Sequence, residues 1–251
     1  MKAGPTLTLL HTNDFHGRLR PPATDALRRL REEHPDALLL DAGDAVTAGN
    51  LGFRLTGEPI LDTMSDLGYS AMCLGNRETH PRKEIFPIKV AGARFPILCG
   101  NLMPKGDAPV PTVPSLRLEL GGIRLGICAA TVPMFTRKQW SQSLCDYWFE
   151  DPITSVCAQA EVLRPEVDVL IALTHIGFQR DVRLAEQCPE LDLIVGGHSH
   201  TDLEEPYRVG HCAVVQARSH AFFAGVATLE VADGRGELRA WRKEPLRDAP
   251  A

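Results

Sequence analysis

The seven cysteines form no CxxC pair, and no apolar stretch approaches the roughly 20 residues of a membrane span. The first absence removes a thiolate zinc site and leaves the thiols as reduced core residues of a cytoplasmic protein. The second removes an integral membrane helix. The N-terminal MKAGPTLTLLHTNDFHG has one lysine before a short apolar run, so it reads as a strand and not as a signal peptide. Basic residues are not in excess: 27 Lys and Arg against 32 Asp and Glu give a net charge of −5. That balance argues against a nucleic-acid polymer or an anionic membrane as the main partner. Aromatic residues reach only 6%, and three of them, Trp140, Tyr147 and Trp148, gather with Phe149 in one segment. Such a cluster stacks on a base or aryl group, or anchors a loop to the core; anchoring is the commoner fate.

What remains is an ordinary globular composition, 44% apolar and 24% charged over 251 residues, enough for one α/β domain spanning residues 1–251. Short apolar runs alternate with amphipathic stretches. Strands are expected at Thr6–His11, Ala37–Leu40, Ala71–Leu74, Pro96–Gly100, Val167–Leu173 and Leu191–Val195. Helices are expected at Thr24–Glu33, Glu58–Leu67, Arg82–Ala91, Pro152–Leu163 (capped by Asp151) and Asp181–Gln187. Gly121-Gly122 joins Leu116–Leu120 to Ile123–Ala129 as a hairpin, and Cys212–Ala217, Ala221–Val231 and Glu237–Arg242 follow as strands. Asp233-Gly234 turns between the last two, and Met103–Pro114 is a proline-rich surface loop. This order fits two mixed sheets packed together and covered by helices.

Metal-ligating residue types fall where expected strands end: Asp14 and His16, Asp44, Asn76, His175, and His198 and His200. Ligands of open α/β sheets gather beyond the carboxyl ends of the strands, so residues far apart in sequence converge there. Each fragment alone has a bland reading as a turn, a polar loop or a core histidine. Five fragments in order, each with a glycine nearby, favour the functional one. Carboxylate, amide oxygen and imidazole together suit divalent Mn, Fe or Zn.

The ordered set Asp14-x-His16, Gly43-Asp44, Gly75-Asn76, His175 and Gly197-His198-x-His200 resembles the calcineurin-like metallophosphoesterase superfamily. The wording is closest to the catalytic domain of bacterial 5′-nucleotidases. LLHTNDFHG at Leu9–Gly17, Asp168–Gly177 with Asp181, and DLIVGGHSHT at Asp192–Thr201 carry it, with GGIRLGICAAT and VVQARSHAFFAGVATLEV in support. The resemblance implies a four-layer α/β/β/α sandwich of two mixed sheets with two divalent ions at its rim. By motif position Asp14, His16, Asp44 and His200 would hold one ion. Asp44, Asn76, His175 and His198 would hold the other, with Asp44 bridging. Two ions about 3.5–4 Å apart clamp the attacking and leaving oxygens of an in-line displacement and make hydroxide available at neutral pH. Metal and Asn76 would bear the charge developing on the phosphoryl oxygens.

Two departures bear on function. The family motif Gly-Asn-His-Glu-Phe-Asp, whose histidine and aspartate form a catalytic pair, reads here Gly75-Asn76-Arg77-Glu78-Thr79-His80. Either Arg77 grips a phosphate oxygen while His80 serves as leaving-group acid, or Arg77 pairs with Glu78 or another carboxylate and the chemistry is crippled or retargeted. The chain also stops at Ala251, without the C-terminal domain that gives 5′-nucleotidases their base clamp, so nucleoside specificity does not carry over. Arg180, Arg183 and Arg218 add rim charge or stand solvated, and His34, His211 and His220 have no motif support. The expectation is a metal-dependent phosphomonoesterase or phosphodiesterase acting on a small phosphorylated substrate. Its rivals are a cyclic nucleotide or dinucleotide diesterase, and a degenerate fold used as a binding module.

Overall fold

The computed structural model describes residues 4–136, 139 and 143–248. Its strands are β1 (Thr6–Thr12), β2 (Leu38–Asp41), β3 (Ala71–Cys73), β4 (Ile97–Leu98), β5 (Leu102–Pro104), β6 (Ser115–Leu120) and β7 (Ile123–Thr131). Then follow β8 (Tyr147–Phe149), β9 (Val169–His175), β10 (Leu193–Val195), β11 (Tyr207–Val209), β12 (Cys212–Val215), β13 (Phe223–Ala232) and β14 (Arg235–Pro245). The helices are α1 (Ala23–Glu33), α2 (Pro59–Asp66), α3 (Phe86–Val90), α4 (Pro152–Leu163) and α5 (Phe178–Gln187).

Two six-stranded sheets run β14-β13-β1-β2-β3-β4 and β11-β12-β10-β9-β7-β6. Both are mixed. In the first, β1 to β4 pair in parallel and β13 runs antiparallel to β1. In the second, β7, β9, β10 and β12 are parallel, while β6 and β11 are antiparallel edges.

The two-residue period of a strand sorts its side chains into layers. Leu9, Leu38 and Leu40 point inward and meet Val169, Ile171, Leu193 and Val215 of the other sheet. Leu10, Leu39 and Met72 point outward, onto Leu27 of α1 and Met64 of α2. On the far side Leu170, Ala172 and Ile194 pack against Val156 of α4 and Leu184 of α5. The result is an α/β/β/α sandwich whose strands read as near-continuous apolar runs because both faces are covered.

Local chemistry fixes the ends. Asp151 accepts the Thr154 backbone N–H at 2.9 Å and Pro152 opens α4. Leu120 pairs with Ile123 across Gly121 (φ 58) and Gly122 (φ 80), and Ala232 pairs with Arg235 across Asp233 (φ 51) and Gly234 (φ 73). Both loops need two positive φ values, which Gly-Gly and Asp-Gly supply. All seven cysteines are free, and among the described residues no helix is long and apolar enough to cross a membrane.

The structure corrects several expectations. The helix expected at Arg82–Ala91 begins only at Phe86, because residues 82–85 spend their donors on turns: the Lys83 N–H donates to the Asp146 carboxylate at 2.8 Å. The strand expected at Pro96–Gly100 ends at Leu98; the Cys99 and Gly100 N–H groups turn to Val113 and to Ala129 of β7. Part of the proline-rich loop is β5, which pairs with β8. That pairing answers the aromatic cluster: Tyr147 and Phe149 are buried, and the Tyr147 hydroxyl donates to the Pro109 carbonyl at 2.6 Å. The segment anchors a loop; Trp140 lies outside the described residues.

Candidate metal centre

The loops after β1, β2, β3, β9 and β10 converge on one rim. Backbone bonds zip the first two together: Asp14 N–H to Gly43 O at 2.9 Å, His16 N–H to Asp44 O at 2.9 Å, and Gly17 N–H to Ala45 O at 2.7 Å. The approach is close enough that a Cβ on Gly43 would meet Gly75 N at 2.8 Å, and one on Gly197 would meet Ala42 O at 2.7 Å. Asp14, His16, Asp44, His198 and His200 all hold positive φ. They are five of the nine non-glycine residues in that region among those described. Such backbone strain persists only where surrounding contacts over-determine it, and it concentrates at functional sites.

The donor atoms form two overlapping groups, Asp14 with His16 and His200, and Asp14 with Asp44 and His175, each within a 4.8 Å span. His16 Nε2 and His200 Nε2 stand 3.1 Å apart and lie 3.4 and 3.2 Å from Asp14 Oδ1. That oxygen is buried and has no hydrogen-bond partner of acceptable geometry. Asp44 faces both groups, with Oδ2 3.9 Å from His16 Nε2 and Oδ1 3.4 Å from His175 Nε2. Asn76 Oδ1 completes the second group at 3.2 Å from His175 Nε2 and 3.0 Å from His198 Nδ1. Every sequence-expected ligand therefore lies in one cluster.

Supporting contacts aim these groups. The His175 Nδ1–H donates to the Ala42 carbonyl at 2.7 Å, which leaves Nε2 turned inward, the arrangement of a metal-ligating imidazole. Glu78, buried, accepts the N–H groups of Asp44, Val46 and Gly75, each at 3.0 Å, and so ties the second and third loops. Burial and the charge of Asp44 push its carboxyl upward. Burial alone would raise Asp14, yet the imidazoles of His16 and His200 facing Oδ1 hold it well below the carboxylate range. Burial would lower His175, but the charge of Asp44 raises it to about 10. A buried His175 paired with Asp44, beside an orphaned carboxylate oxygen, is an arrangement that a cation would relieve. Imidazoles, carboxylates and an amide oxygen fit a divalent ion.

Arg77 does not pair with Glu78. Its N–H donates to Asp44 Oδ1 at 2.8 Å, its Nε lies 3.7 Å from Asp44 Oδ2, and Nη1 donates to the Thr47 carbonyl at 2.9 Å. His80 is buried: its Nδ1 accepts the Arg82 N–H at 3.1 Å and its ring packs edge-on to Phe53. Burial, then the nearby Lys89 charge, lowers its pKa. Arg180 and Arg183 are exposed on α5, whereas Arg218 pairs with Asp202 at 3.7 Å.

Sequence reading missed two residues. Asn13 brackets the first loop, donating to Asp14 Oδ2 and accepting the Ala217 N–H. His220 lies with its ring 5.0 Å from that of His16 and 5.4 Å from that of His200. The antiparallel pairing of β13 with β1 is the signal for both, because it brings the loop before β13 to the rim where β1 ends.

A family model of calcineurin-like phosphoesterases matches residues 7–202. The chain belongs to that family. It is 33% identical over 227 residues to a mouse 5′-nucleotidase, covering 78% of this chain and 38% of that enzyme. The chain thus spans well under half the length of such relatives. Among solved structures, a 5′-nucleotidase precursor from Thermus thermophilus superposes with a TM-score of 0.78 at 26% identity, covering 96% of this chain and 54% of that one. A calcineurin-like phosphoesterase from Bacillus subtilis gives 0.73 at 20% identity, covering 97% and 91%. Family members hold divalent metals, and this rim carries the candidate ligands.

Proposed function

We propose that this chain hydrolyses small phosphate esters in the cytoplasm. Two divalent ions (Mn, Zn or Fe) would be held by Asp14, His16, Asp44 and His200, and by Asp44, Asn76, His175 and His198. The observation that carries this reading is Asp44 set between two groups of inward-turned imidazoles, with an orphaned Asp14 oxygen beside it. Bound ions would supply Lewis acidity and an activated nucleophile at neutral pH. The chain's own residues do the rest. Asn76 lies on the rim between His175 and His198, where it can meet a phosphoryl oxygen. Arg77, anchored to Asp44 and Thr47, presents its remaining guanidinium donors to developing phosphoryl charge.

Leaving-group protonation is the step that the altered pair changes. Arginine keeps its proton near neutral pH, and the buried His80 ring is tied to its own loop. This supports the reading in which no acid replaces the family histidine. The test is a series of esters of rising leaving-group pKa on manganese-loaded protein. General acid help contributes typically ~10²–10⁴-fold, so rates should fall steeply along the series, and Arg77→His with His80→Asp should flatten the fall. A shallow dependence that His80→Ala steepens would instead make His80 the acid. Absence of hydrolysis across the series would leave a binding module.

A further inference from the structure

The two six-stranded sheets end in four edge strands, and three of these are closed to a further strand. β4 has only two residues, and Val113 already covers it: the Val113 N–H donates to the Ile97 carbonyl at 3.0 Å, and the Cys99 N–H to the Val113 carbonyl at 2.8 Å. β11 has three residues. β14 is long, but its register on β13 shifts at Arg239, and its Gly236 and Leu238 carbonyls are taken by His211 Nε2 and Arg208 Nη2, each at 2.8 Å. Short strands, bulges, proline and occupied backbone groups keep a sheet edge from pairing with another chain. β6 has none of them. Its six residues run in unbroken register along β7 and include no proline. Among the described residues its backbone makes no hydrogen bond on the side away from β7.

The open edge is also its own complement. β6 reads Ser-Leu-Arg-Leu-Glu-Leu. Leu116, Leu118 and Leu120 turn toward the core between the sheets and are only partly buried, while Arg117 and Glu119 are exposed on the other face. A second β6 laid antiparallel about Leu118 sets Arg117 opposite Glu119 twice over, and Leu116 opposite Leu120. We infer that β6 docks a second copy of this chain through this two-fold pairing, joining two six-stranded sheets edge to edge. A contact of this symmetry must be self-complementary, and opposite charges directly across an antiparallel pair attract where like charges repel. Arg117 has a partner within its own chain, Glu166 at 2.7 Å, but the two side chains are 50% and 55% exposed. An ion pair so exposed is worth little and leaves Arg117 free to turn to a facing Glu119. A six-residue ladder falls short of the roughly 1,000 Å² that a stable complex buries, so the pairing is reversible. No candidate metal ligand lies on β6 or β7.

The test is sedimentation of the whole chain from low micromolar to several hundred micromolar concentration, where the parent should pass from monomer to dimer. Arg117→Glu sets glutamate opposite glutamate, and Glu119→Arg sets arginine opposite arginine. With both symmetry-related pairs reversed, each variant should associate about tenfold more weakly, or worse. Mixed one to one, the two variants complement each other at both positions, so the mixture should pair as the parent does although neither variant does alone. The chain carrying both changes is again its own complement and should recover the dimer. Hydrogen exchange on the parent needs no variant: protection of the amides of residues 115–120 should rise with concentration. A parent that stays monomeric throughout, or exchange in β6 that ignores concentration, would overturn the inference. So would a dimer that neither variant weakens, or one that both weaken and neither the mixture nor the double change restores.

Discussion

Two buried aspartates, one at each end of the strands, show how the same side chain is used for opposite purposes. Asp192, just before β10, is saturated. It accepts from Leu170 N–H at 2.8 Å, Arg164 at 2.9 Å, Arg235 at 3.0 Å and Gly236 N–H at 3.2 Å, and His211 lies 3.3 Å away. Asp14, just after β1, is equally buried but keeps Oδ1 open between two imidazoles. The first carboxylate is satisfied by permanent cations and backbone donors, and so it locks β9, β10 and β14 together. The second is surrounded by groups that can give up their protons. A buried charge left open is costly unless something binds it, and this difference separates a fastening from a site.

The sharpest way to break that comparison is to remove Asp192. Asp192→Ala strands Arg164 and Arg235 and should cost about 3–5 kcal/mol of unfolding free energy by urea denaturation. It should leave the number of metals per folded chain unchanged. The reverse is expected of Asp14→Asn. Removing partners of metal ligands already costs 10–100-fold in affinity, so losing the ligand itself should exceed about 100-fold by metal titration. Metal-stripped parent and variant should unfold at closely similar temperatures.

A third variant sharpens the contrast with two buried histidines. His175 sits beside Asp44, whose charge raises its pKa, whereas His11 receives the Trp241 indole N–H at 2.9 Å. Burial lowers the His11 pKa from 6.5 to about 3. Below pH 6.5 the unfolded chain takes up a proton that the folded chain refuses, so stability falls with pH until about 3. The slope reaches about 1.4 kcal/mol per pH unit, or about 2 kcal/mol between pH 6.5 and 5. Urea denaturation of His11→Gln should show that much less pH dependence than the parent. The smallest effect lies at neither aspartate. Asp151→Ala removes the α4 cap and should cost about 1 kcal/mol in thermal unfolding while sparing metal uptake.

Much of this was readable in the sequence because it is written in short-range rules. Asp151-Pro152, Gly121-Gly122 and Asp233-Gly234 each state a local backbone requirement, and the structure places all three as expected. That the candidate ligands gather at one rim followed from strand ends. What stayed hidden depends on long-range pairing. The three-residue strands Leu102–Pro104 and Tyr147–Phe149 show no alternation until they pair. His220 becomes part of the rim only through the antiparallel register of β13 on β1. Arg77 carries no hint in its spacing that it leans on Asp44 and not on its neighbour Glu78.

The central claim, a pair of cations held by opposed groups that share the Asp14–Asp44 rim, is tested most directly by elemental analysis of protein loaded with manganese and freed of excess. The account predicts about two ions per chain in the parent and a clear loss in Asp44→Asn, because two cations repel each other unless a shared carboxylate lies between them. Metal at trace levels in the parent, or the same content in Asp44→Asn, would contradict it.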